Sequence, residues 1–443
     1  MANRRSQTKT GGGAETKGHV SGLYSLAVGM PPNPGPERWT WTKLSDVARL
    51  ETGHTPSRRH PEYWDGDIPW IGIRDATANH GQTLLDTNQH TNDLGIANSS
   101  ARILPKNTVC LSRTASVGYV VVMGRPMATS QDFVNWVCSE KIDHQFLKYI
   151  LLSENRSFAS FASGTTHQTI YVPEVKGFHV CLPSIGIQRK IASILSAYDD
   201  LIENNTRRIA ILEKMAQAIY REWFVNFRFP GHENVKLVES TLGMIPQGWK
   251  QTTFGEVTIN YDRIRVPLSS TQRATRKGAF RYYGASGVID SVDDYLFDGK
   301  YLLVAEDGEN INSRKLPIAF LAYGQFWVNN HAHILQGKSP VSTEFLLVTL
   351  TDTDVNPFVT GAAQPKINQA NLNRVPVIVS DEVTLNRYDE FVVPCFDQRQ
   401  MLIKKNENLR TTRDLLLPKL ISGQLDVEEL DIETGEPLVE AEA

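Results

Sequence analysis

The sequence is poor in the features that mark several large classes of protein. It has 443 residues but only four cysteines, and 46 basic against 49 acidic residues leave a formal net charge of −3. The cysteines are far apart and form no Cys-x-x-Cys pair, which argues against a disulfide framework or zinc site and favours reduced thiols. Because the charge is balanced, any surface that binds nucleic acid has to be local.

Long apolar runs are also missing. No stretch approaches the roughly 18–20 apolar residues of a membrane span, and residues 23–28 are too short for the core of a secretory signal. We therefore expect a cytoplasmic protein that does not enter a membrane. Residues 1–36 are predicted to be a flexible tail, and the acidic end at 424–443 to be solvated.

Catalytic motifs are incomplete wherever they begin. Residues 337–339 resemble the end of a phosphate-binding loop, but position 332 is alanine and Pro340 follows. Residues 355–358 have one proline where a DNA methyltransferase needs two, and Glu174 lacks the preceding acidic partner of a restriction nuclease. No Gly-x-Ser-x-Gly turn or His-x3-His pair is present. The sequence predicts no catalytic residue, no metal site and no bound cofactor.

An internal repeat is the strongest positive signal. Residues 39–47 match residues 249–257 at an offset of 210, and the pair Gln188-Arg189 matches Gln398-Arg399 at the same offset. Between these anchors, further matches recur in the same order. They are 109–111 with 302–304, 146–147 with 345–346, and 164–170 with 361–367. The chain is therefore interpreted as two copies of one unit.

Each copy is predicted to combine a globular part with a long helix. The globular parts hold short β-type runs between turn residues, and a helix is expected at 143–153. The predicted strands are 119–123, 133–137, 178–182, 301–304 and 375–379.

Apolar residues in steps of three and four predict a long helix between residues 187 and 229. About 40 helical residues would extend roughly 60 Å. A second helix is expected at about 396–422, weakened by Pro418 and stopped by Gly423. Asn205 is the one polar residue of the first seam, a type that sets register in coiled coils. The predicted seam and partner-docking residues are Ile191, Ile194, Tyr198, Leu201, Asn205, Leu212, Ile219, Leu409, Leu416 and Leu420.

The predicted fold class is α/β (α+β), with two globular domains in a pseudo-twofold repeat separated by two long helices. The simplest pairing of these helices is an antiparallel coiled coil that holds the domains a fixed distance apart. The alternative is that each helix is only one face of a bundle.

Basic residues beside aromatic residues occur in the same region of both copies. Arginine suits both phosphate contacts and the reading of guanine edges. A second candidate in each copy is the polar segment 164–168 or 361–366, and a solvated loop or a structural turn remains the alternative reading. The candidate DNA-binding residues are Arg58, Arg59, Arg74, Thr166, His167, Gln168, Arg263, Arg265, Arg273, Arg276, Lys277, Gln364 and Lys366.

These residues converge on a family. The chain resembles the specificity subunit of type I restriction–modification enzymes over residues 37–430. The segments that carry the resemblance are 182–195, 211–224, 243–249 and 414–425, together with Tyr63-Trp64 and residues 68–71.

The resemblance implies a DNA reader without catalysis of its own. Two target-recognition domains would each read half of an asymmetric bipartite site in double-stranded DNA, and the helices would bind two methyltransferase subunits. Restriction subunits, where present, would join that core. S-adenosylmethionine, ATP and Mg would be used by those partners. The predicted divisions are a tail at 1–36, recognition domains at 37–182 and 246–394, helical spacers at 183–229 and 395–423, a linker at 230–245 and the acidic tail.

Two other classes of function stay open. One is a stand-alone nuclease or methyltransferase with a fused recognition domain, which the incomplete motifs argue against. The other is a coiled-coil scaffold that does not bind DNA, which the paired basic clusters argue against.

Overall fold

The computed structural model describes residues 18–162, 168–241, 243–312, 317–361 and 364–434. The chain divides into two compact units, the first of residues 1–203 with 407–443 and the second of residues 204–406. Each of the two long helices therefore contributes residues to both units.

The first unit is built on short strands with small helices between them. Its strands are β1 (Val20–Ser21), β2 (Leu26–Val28), β3 (Thr40–Lys43), β4 (Ala48–Thr52), β5 (Trp64–Ile71), β6 (Thr83–Leu84), β7 (His90–Thr91), β8 (Val109–Ser112), β9 (Val120–Met123), β10 (Ala128–Thr129), β11 (Phe133–Cys138) and β12 (Phe178–Leu182). Its helices are α1 (Ile73–Ala78), α2 (Asp93–Ala97), α3 (His144–Ser153), α4 (Phe158–Phe161) and α5 (Val172–Lys176), followed by the long helix α6 (Ile185–Tyr220).

The second unit follows the same plan. Its strands are β13 (Leu237–Ser240), β14 (Gly243–Pro246), β15 (Lys250–Thr253), β16 (Thr258–Asn260), β17 (Phe280–Gly284), β18 (Gly287–Val292), β19 (Phe297–Ala305), β20 (Ala319–Val328), β21 (Ala332–Gly337) and β22 (Pro376–Val379). Its helices are α7 (Ser270–Thr275), α8 (Glu309–Asn312), α9 (Thr343–Asp352), α10 (Gln369–Asn373) and the long helix α11 (Glu382–Ile421).

The sheet topology confirms the duplication. The main sheet of the first unit has the order β4-β11-β8-β9-β6, and that of the second has the order β16-β21-β19-β20-β17-β18. The first four strands correspond one to one, and every pairing among them is antiparallel. The strand before each long helix pairs with the first strand of the sequence repeat, β12 with β3 and β22 with β15. The mixed helix and sheet repeat is thus as predicted.

The predicted helix of the first copy shows why these residues fold locally as they do. Asp143 caps α3, because its Oδ1 accepts a hydrogen bond from the Phe146 backbone N–H at 2.9 Å. The apolar face of α3, with Phe146 and Ile150, is fully buried in the core of the first unit. Ser342 caps α9 in the same way, because its Oγ accepts a hydrogen bond from the Phe345 backbone N–H at 3.1 Å. The Phe345 side chain is buried in the core of the second unit.

The long helices pack antiparallel inside each unit. In the first unit, Arg413 donates to Asp199 at 2.6 Å, and Lys190, further toward the start of α6, donates to the Glu428 carbonyl at 2.7 Å. In the second unit, Asn205 donates to Asn406 at 2.9 Å. Arg399 pairs with Glu213 about one heptad along the two helices, after Asn205 on α6 but before Asn406 on α11.

The seam differs from the predicted one by single residues. Leu201 is 53% exposed, and its neighbour Ile202 is buried in its place. Leu195 likewise is fully buried, whereas Ile194 is only partly covered. Of the other predicted seam residues, Ile191, Asn205 and Leu420 are buried, and Tyr198, Leu212, Ile219, Leu409 and Leu416 are half-buried.

The second long helix begins earlier than predicted, at Glu382 rather than near residue 395. Pro394 lies inside the helix at an exposed position, although proline ordinarily breaks a helix. Pro418 does not end the helix either, and Gly423, with φ of 71°, follows its last turn as expected of a stop. The domain boundary at 394 was therefore placed about three turns too late.

This earlier start also overturns one of the repeat anchors. Gln188 is buried at the beginning of α6, where it accepts from the Asp143 backbone N–H at 3.0 Å. Gln398 lies in the middle of α11 and is exposed. The two residues match in sequence but not in structural position, because the second helix carries extra turns before Gln398.

Both predicted tails are partly wrong. Residues 26–28 form β2, which pairs with β12, and the side chains of Leu26 and Val28 are buried. At the other end, Val427 is 1% exposed and belongs to the core of the first unit. Residues 1–17 and 435–443, which complete the two predicted tails, lie outside the described residues. The predicted linker at 230–245 holds most of a hairpin formed by β13 and β14.

Candidate nucleic-acid interface

Four loops of the first unit meet at one end of its main sheet. The topology brings them together, because β4 and β8 end where β11 begins, with Thr52 opposite Val134 and Ser112 opposite Phe133. Residues directly beyond these strand ends therefore lie side by side. We call the four loops, at residues 54–58, 113–114, 130–132 and 168–170, the first loop edge.

Side-chain contacts join the four loops. Thr55 Oγ1 donates to the Gln131 side-chain oxygen, and Arg113 Nη2 donates to the Gln131 carbonyl at 2.9 Å. Thr169 donates to Thr114 at 3.2 Å through their hydroxyl groups. The first loop edge is thus a continuous polar surface of hydroxyl, amide and guanidinium groups, the groups that contact bases and phosphates.

The predicted aromatic cluster borders the first loop edge. The Arg58 guanidinium lies 3.6 Å from the centroid of the Trp64 ring and 5.1 Å from that of Trp70. Trp70 donates from its indole Nε1 to the His54 carbonyl at 3.1 Å, which ties the cluster to the loops. The partial burial of Arg58 lowers its pKa. Arg59 is exposed and forms no ion pair among the described residues.

The second unit has an equivalent set of loops with different chemistry. We call residues 262–265, 306–307, 330–331 and 364–367 the second loop edge. Asp307 forms ion pairs with His331 at 3.0 Å and with Lys366 at 3.1 Å. Arg265 donates to the Ala332 carbonyl at 2.9 Å and lies 3.5 Å from Glu306. Asp307 and Lys366 therefore stand where the first loop edge has the hydroxyl groups of Thr114 and Thr169.

A buried ion pair holds the second loop edge together. His333 Nδ1 lies 2.6 Å from Asp262 Oδ2, and His333 Nε2 lies 2.9 Å from the Ile367 carbonyl oxygen. Both partners are acceptors, so both ring nitrogens carry protons and the imidazole is charged. Burial alone would lower the pKa of His333, but the hydrogen bond and charge of Asp262 outweigh it and raise that pKa.

The basic cluster predicted at 263–277 is much less positive than its local sequence indicates. Arg273 pairs with Asp290 at 3.1 Å, and Lys277 pairs with the same carboxylate. Arg276 pairs with Asp293 at 2.8 Å. The hydrogen bond from Lys277 is the main reason why the pKa of Asp290 falls to about 2. Asp290 lies in β18 and Asp293 directly follows it, so both acidic residues lie outside the basic segment 263–277.

The remaining predicted residues are spread over the two units. Arg74 on α1, Gln168, Arg263 and Gln364 are exposed, and Lys366 is tied to Asp307. Thr166 and His167 lie outside the described residues. Sequence reasoning missed Arg113, Gln131 and His331. The sequence position of Arg113 could have indicated it, because this residue directly follows β8, and the internal repeat matches residues of β8 with residues of β19.

The part of the chain that the structure describes has neither a metal-binding cluster nor a membrane-spanning helix. That part of the chain contains no cluster of three or more His, Cys, Asp or Glu residues placed to hold a metal ion. Within the same ranges, no helix has both the length and the apolar character to cross a membrane.

Comparison with known proteins places this fold in the class of DNA-specificity proteins. The family model described as Type I restriction modification DNA specificity domain matches residues 36–214 and 246–381. The MjaIX specificity subunit of Methanocaldococcus jannaschii is 26% identical over 423 residues, covering 89% of this chain and 95% of that protein. The EcoprrI specificity subunit of Escherichia coli is 24% identical over 363 residues, covering 76% and 83%.

A solved structure agrees with these sequence relatives on the fold. The type I restriction–modification S subunit from M. genitalium has a TM-score of 0.58 at 17% identity, covering 88% of this chain and 98% of that one. The family model spans more than half of the chain in two matching segments. The chain therefore belongs to the type I restriction modification DNA specificity domain family.

Proposed function

We propose that the chain is the DNA-recognition subunit of a type I restriction–modification complex, with each loop edge reading one half of a bipartite site. The observation that carries this is the occurrence of two loop edges, at equivalent ends of equivalent sheets, with different side chains on them. A duplicated reader with diverged contact residues recognises two different half-sites, so the whole site is asymmetric.

The long helices set the distance between the half-sites in this proposal. Half-site centres about one turn of DNA apart, roughly 34–36 Å, are what a rigid spacer would favour. The same helices bind two methyltransferase subunits, and restriction subunits join where they exist. Exposed apolar side chains on both helices support a docking role, because single soluble proteins seldom leave such rows uncovered. Four of them are Ile211, Met215, Phe391 and Met401.

The chemistry in this proposal belongs to the partners. S-adenosylmethionine, ATP and Mg are used by the methyltransferase and restriction subunits, and this chain binds none of them. Its contribution is to bring the methyltransferase active sites to the correct bases.

Long-read methylation mapping tests the proposal directly. Genomic DNA is compared between cells with and without this gene, with the neighbouring genes intact. We expect one asymmetric, two-part methylated motif that disappears on deletion and returns on complementation. An unchanged methylome, with the partner subunits expressed, would contradict the proposal and favour a scaffold that does not bind DNA.

A further inference from the structure

Arg113 and Glu306 occupy the same structural position in the two units. Each directly follows a corresponding strand, β8 or β19. The Ile170 N–H donates to the Arg113 carbonyl at 2.9 Å, and the Ile367 N–H donates to the Glu306 carbonyl at 2.9 Å. The backbone position is therefore conserved between the copies while the charge of the side chain is reversed.

A second pair of backbone contacts strengthens the equivalence. The Arg113 N–H donates to the Asp132 carbonyl at 2.7 Å, and the Glu306 N–H donates to the His331 carbonyl at 2.9 Å. Asp132 and His331 each directly precede the next strand of the sheet, β11 or β21. The charge reversal is thus a difference between side chains at one matched site.

The Arg113 side chain is fixed rather than freely solvated. Its Nη2 donates to the Gln131 carbonyl at 2.9 Å, at an exposed position, while its Nε is buried and has no partner among the described residues. One hydrogen bond and partial burial therefore hold the guanidinium in place. An arginine that only contacts phosphates does not need such anchoring. Arg59, which is exposed, is suited to a phosphate contact of that kind.

We propose that Arg113 is a specificity-determining residue that reads a guanine in the half-site of the first unit, through paired hydrogen bonds to O6 and N7. An anchored guanidinium offers the planar pair of donors that this contact needs. Glu306 presents acceptors at the matched position, so it cannot make the same contact, and the second half-site is read differently there. This inference rests on the proposed function.

Methylation mapping of matched variants tests the assignment in cells that keep the neighbouring genes. R113A and R113K are expected to let other bases replace one guanine of one half-site, while the other half-site and the spacing stay unchanged. R59A, the control for a phosphate contact, should lower methylation without changing the motif. E306Q should leave the half-site affected by R113A untouched. An unchanged motif with R113A, or a change in both half-sites, overturns the assignment.

A binding experiment removes the risk that a variant simply fails to fold. The wild-type complex with its methyltransferase subunits is titrated with duplexes in which 7-deazaguanine replaces each guanine of the affected half-site in turn. Loss of N7 at the guanine read by Arg113 should weaken binding roughly tenfold, and the R113A complex should not respond to that replacement. Equal affinity of the wild-type complex for every duplex, or a half-site without a G·C pair, overturns the proposal. Absence of any gene-dependent motif instead overturns the proposed function itself.

Discussion

Asn205 donates a hydrogen bond from Nδ2 to Asn406 Oδ1 at 2.9 Å, and both side chains lie within the apolar seam of the helix pair. Asn406 in turn donates from Nδ2 to Thr206 Oγ1 at 3.2 Å. A buried amide pair is satisfied only when the two residues are opposite each other. It therefore disfavours every other register of the two helices.

Replacing one member of this pair should cost more stability than replacing both. N205A removes the Asn205 hydrogen bond to the buried side-chain oxygen of Asn406, so we expect the free energy of unfolding to fall by about 1–3 kcal/mol. The double variant N205L/N406L should recover most of that loss, because two leucines suit the seam, but it should lose register specificity. Urea denaturation measures the first effect and light scattering measures the association of misregistered chains. Equal stability of single and double variants would contradict this account.

Glu154 should anchor the segment before the first repeat. Its buried carboxylate accepts hydrogen bonds from the backbone N–H groups of residues 23–26, at 2.6–3.3 Å, and from the Ser157 hydroxyl. E154A leaves these donors without their acceptor. We expect a loss of about 2–4 kcal/mol and faster amide hydrogen exchange at residues 18–28. E428A is the control, since its exposed ion pair with Arg38 should be worth at most about 1 kcal/mol. Exchange unchanged by E154A would show that β2 holds without the anchor.

The sequence was informative where the physical signal is local or periodic. The heptad spacing predicted α6, and apolar residues at helical spacing predicted α3. Prediction from the sequence failed where a structural feature depends on residues that are far apart in the chain. Strand β2 depends on pairing Val28 with Phe178, and the neutralisation of Arg276 depends on Asp293. No local pattern indicates such partners. The predicted domain boundary at 394 was also wrong, because α11 begins at Glu382 and accommodates Pro394 at an exposed site.

The buried pair of His333 and Asp262 predicts a pH dependence of the second unit. The pKa of His333 is raised above its ordinary 6.5, so its contribution is complete below that value and is lost as pH rises through the raised pKa. Burial tends to raise the pKa of Asp262, but His333 lowers it below 3.8 overall, so its contribution is lost only in strong acid. Wild type should exceed H333Q in stability most at about pH 6 and least at about pH 9.

Urea midpoints at those two pH values, with H331Q as the matched control, measure this difference. His331 is half exposed, with its side chain 50% accessible, so its replacement should have a small effect at either pH. A stability gap between wild type and H333Q that does not shrink at high pH would show that His333 is buried as a neutral ring.

The arginines of the second unit should separate into two groups. Arg263 is exposed and forms no ion pair among the described residues, whereas Arg276 is tied to Asp293 and lies 5.0 Å from the Trp327 ring centroid. R263A should weaken DNA binding and lower the slope of log affinity against log salt by about 0.9. R276A should leave that slope unchanged. Fluorescence anisotropy over a salt series measures both, and equal slopes for R263A and wild type would exclude a phosphate contact at Arg263.

The exposed apolar residues on α6 provide the sharpest test of partner docking. Ile211 and Met215 are one turn apart and are 56% and 47% exposed, so they share a face of the helix without supporting the core. The double variant I211D/M215D should keep the fold and the stability of the isolated chain but abolish its complex with the methyltransferase subunits. K214E reverses the charge of an exposed side chain on the same turn and is the matched control. Size-exclusion chromatography of the co-expressed subunits decides, because a complex that survives I211D/M215D would place the docking surface elsewhere on the chain.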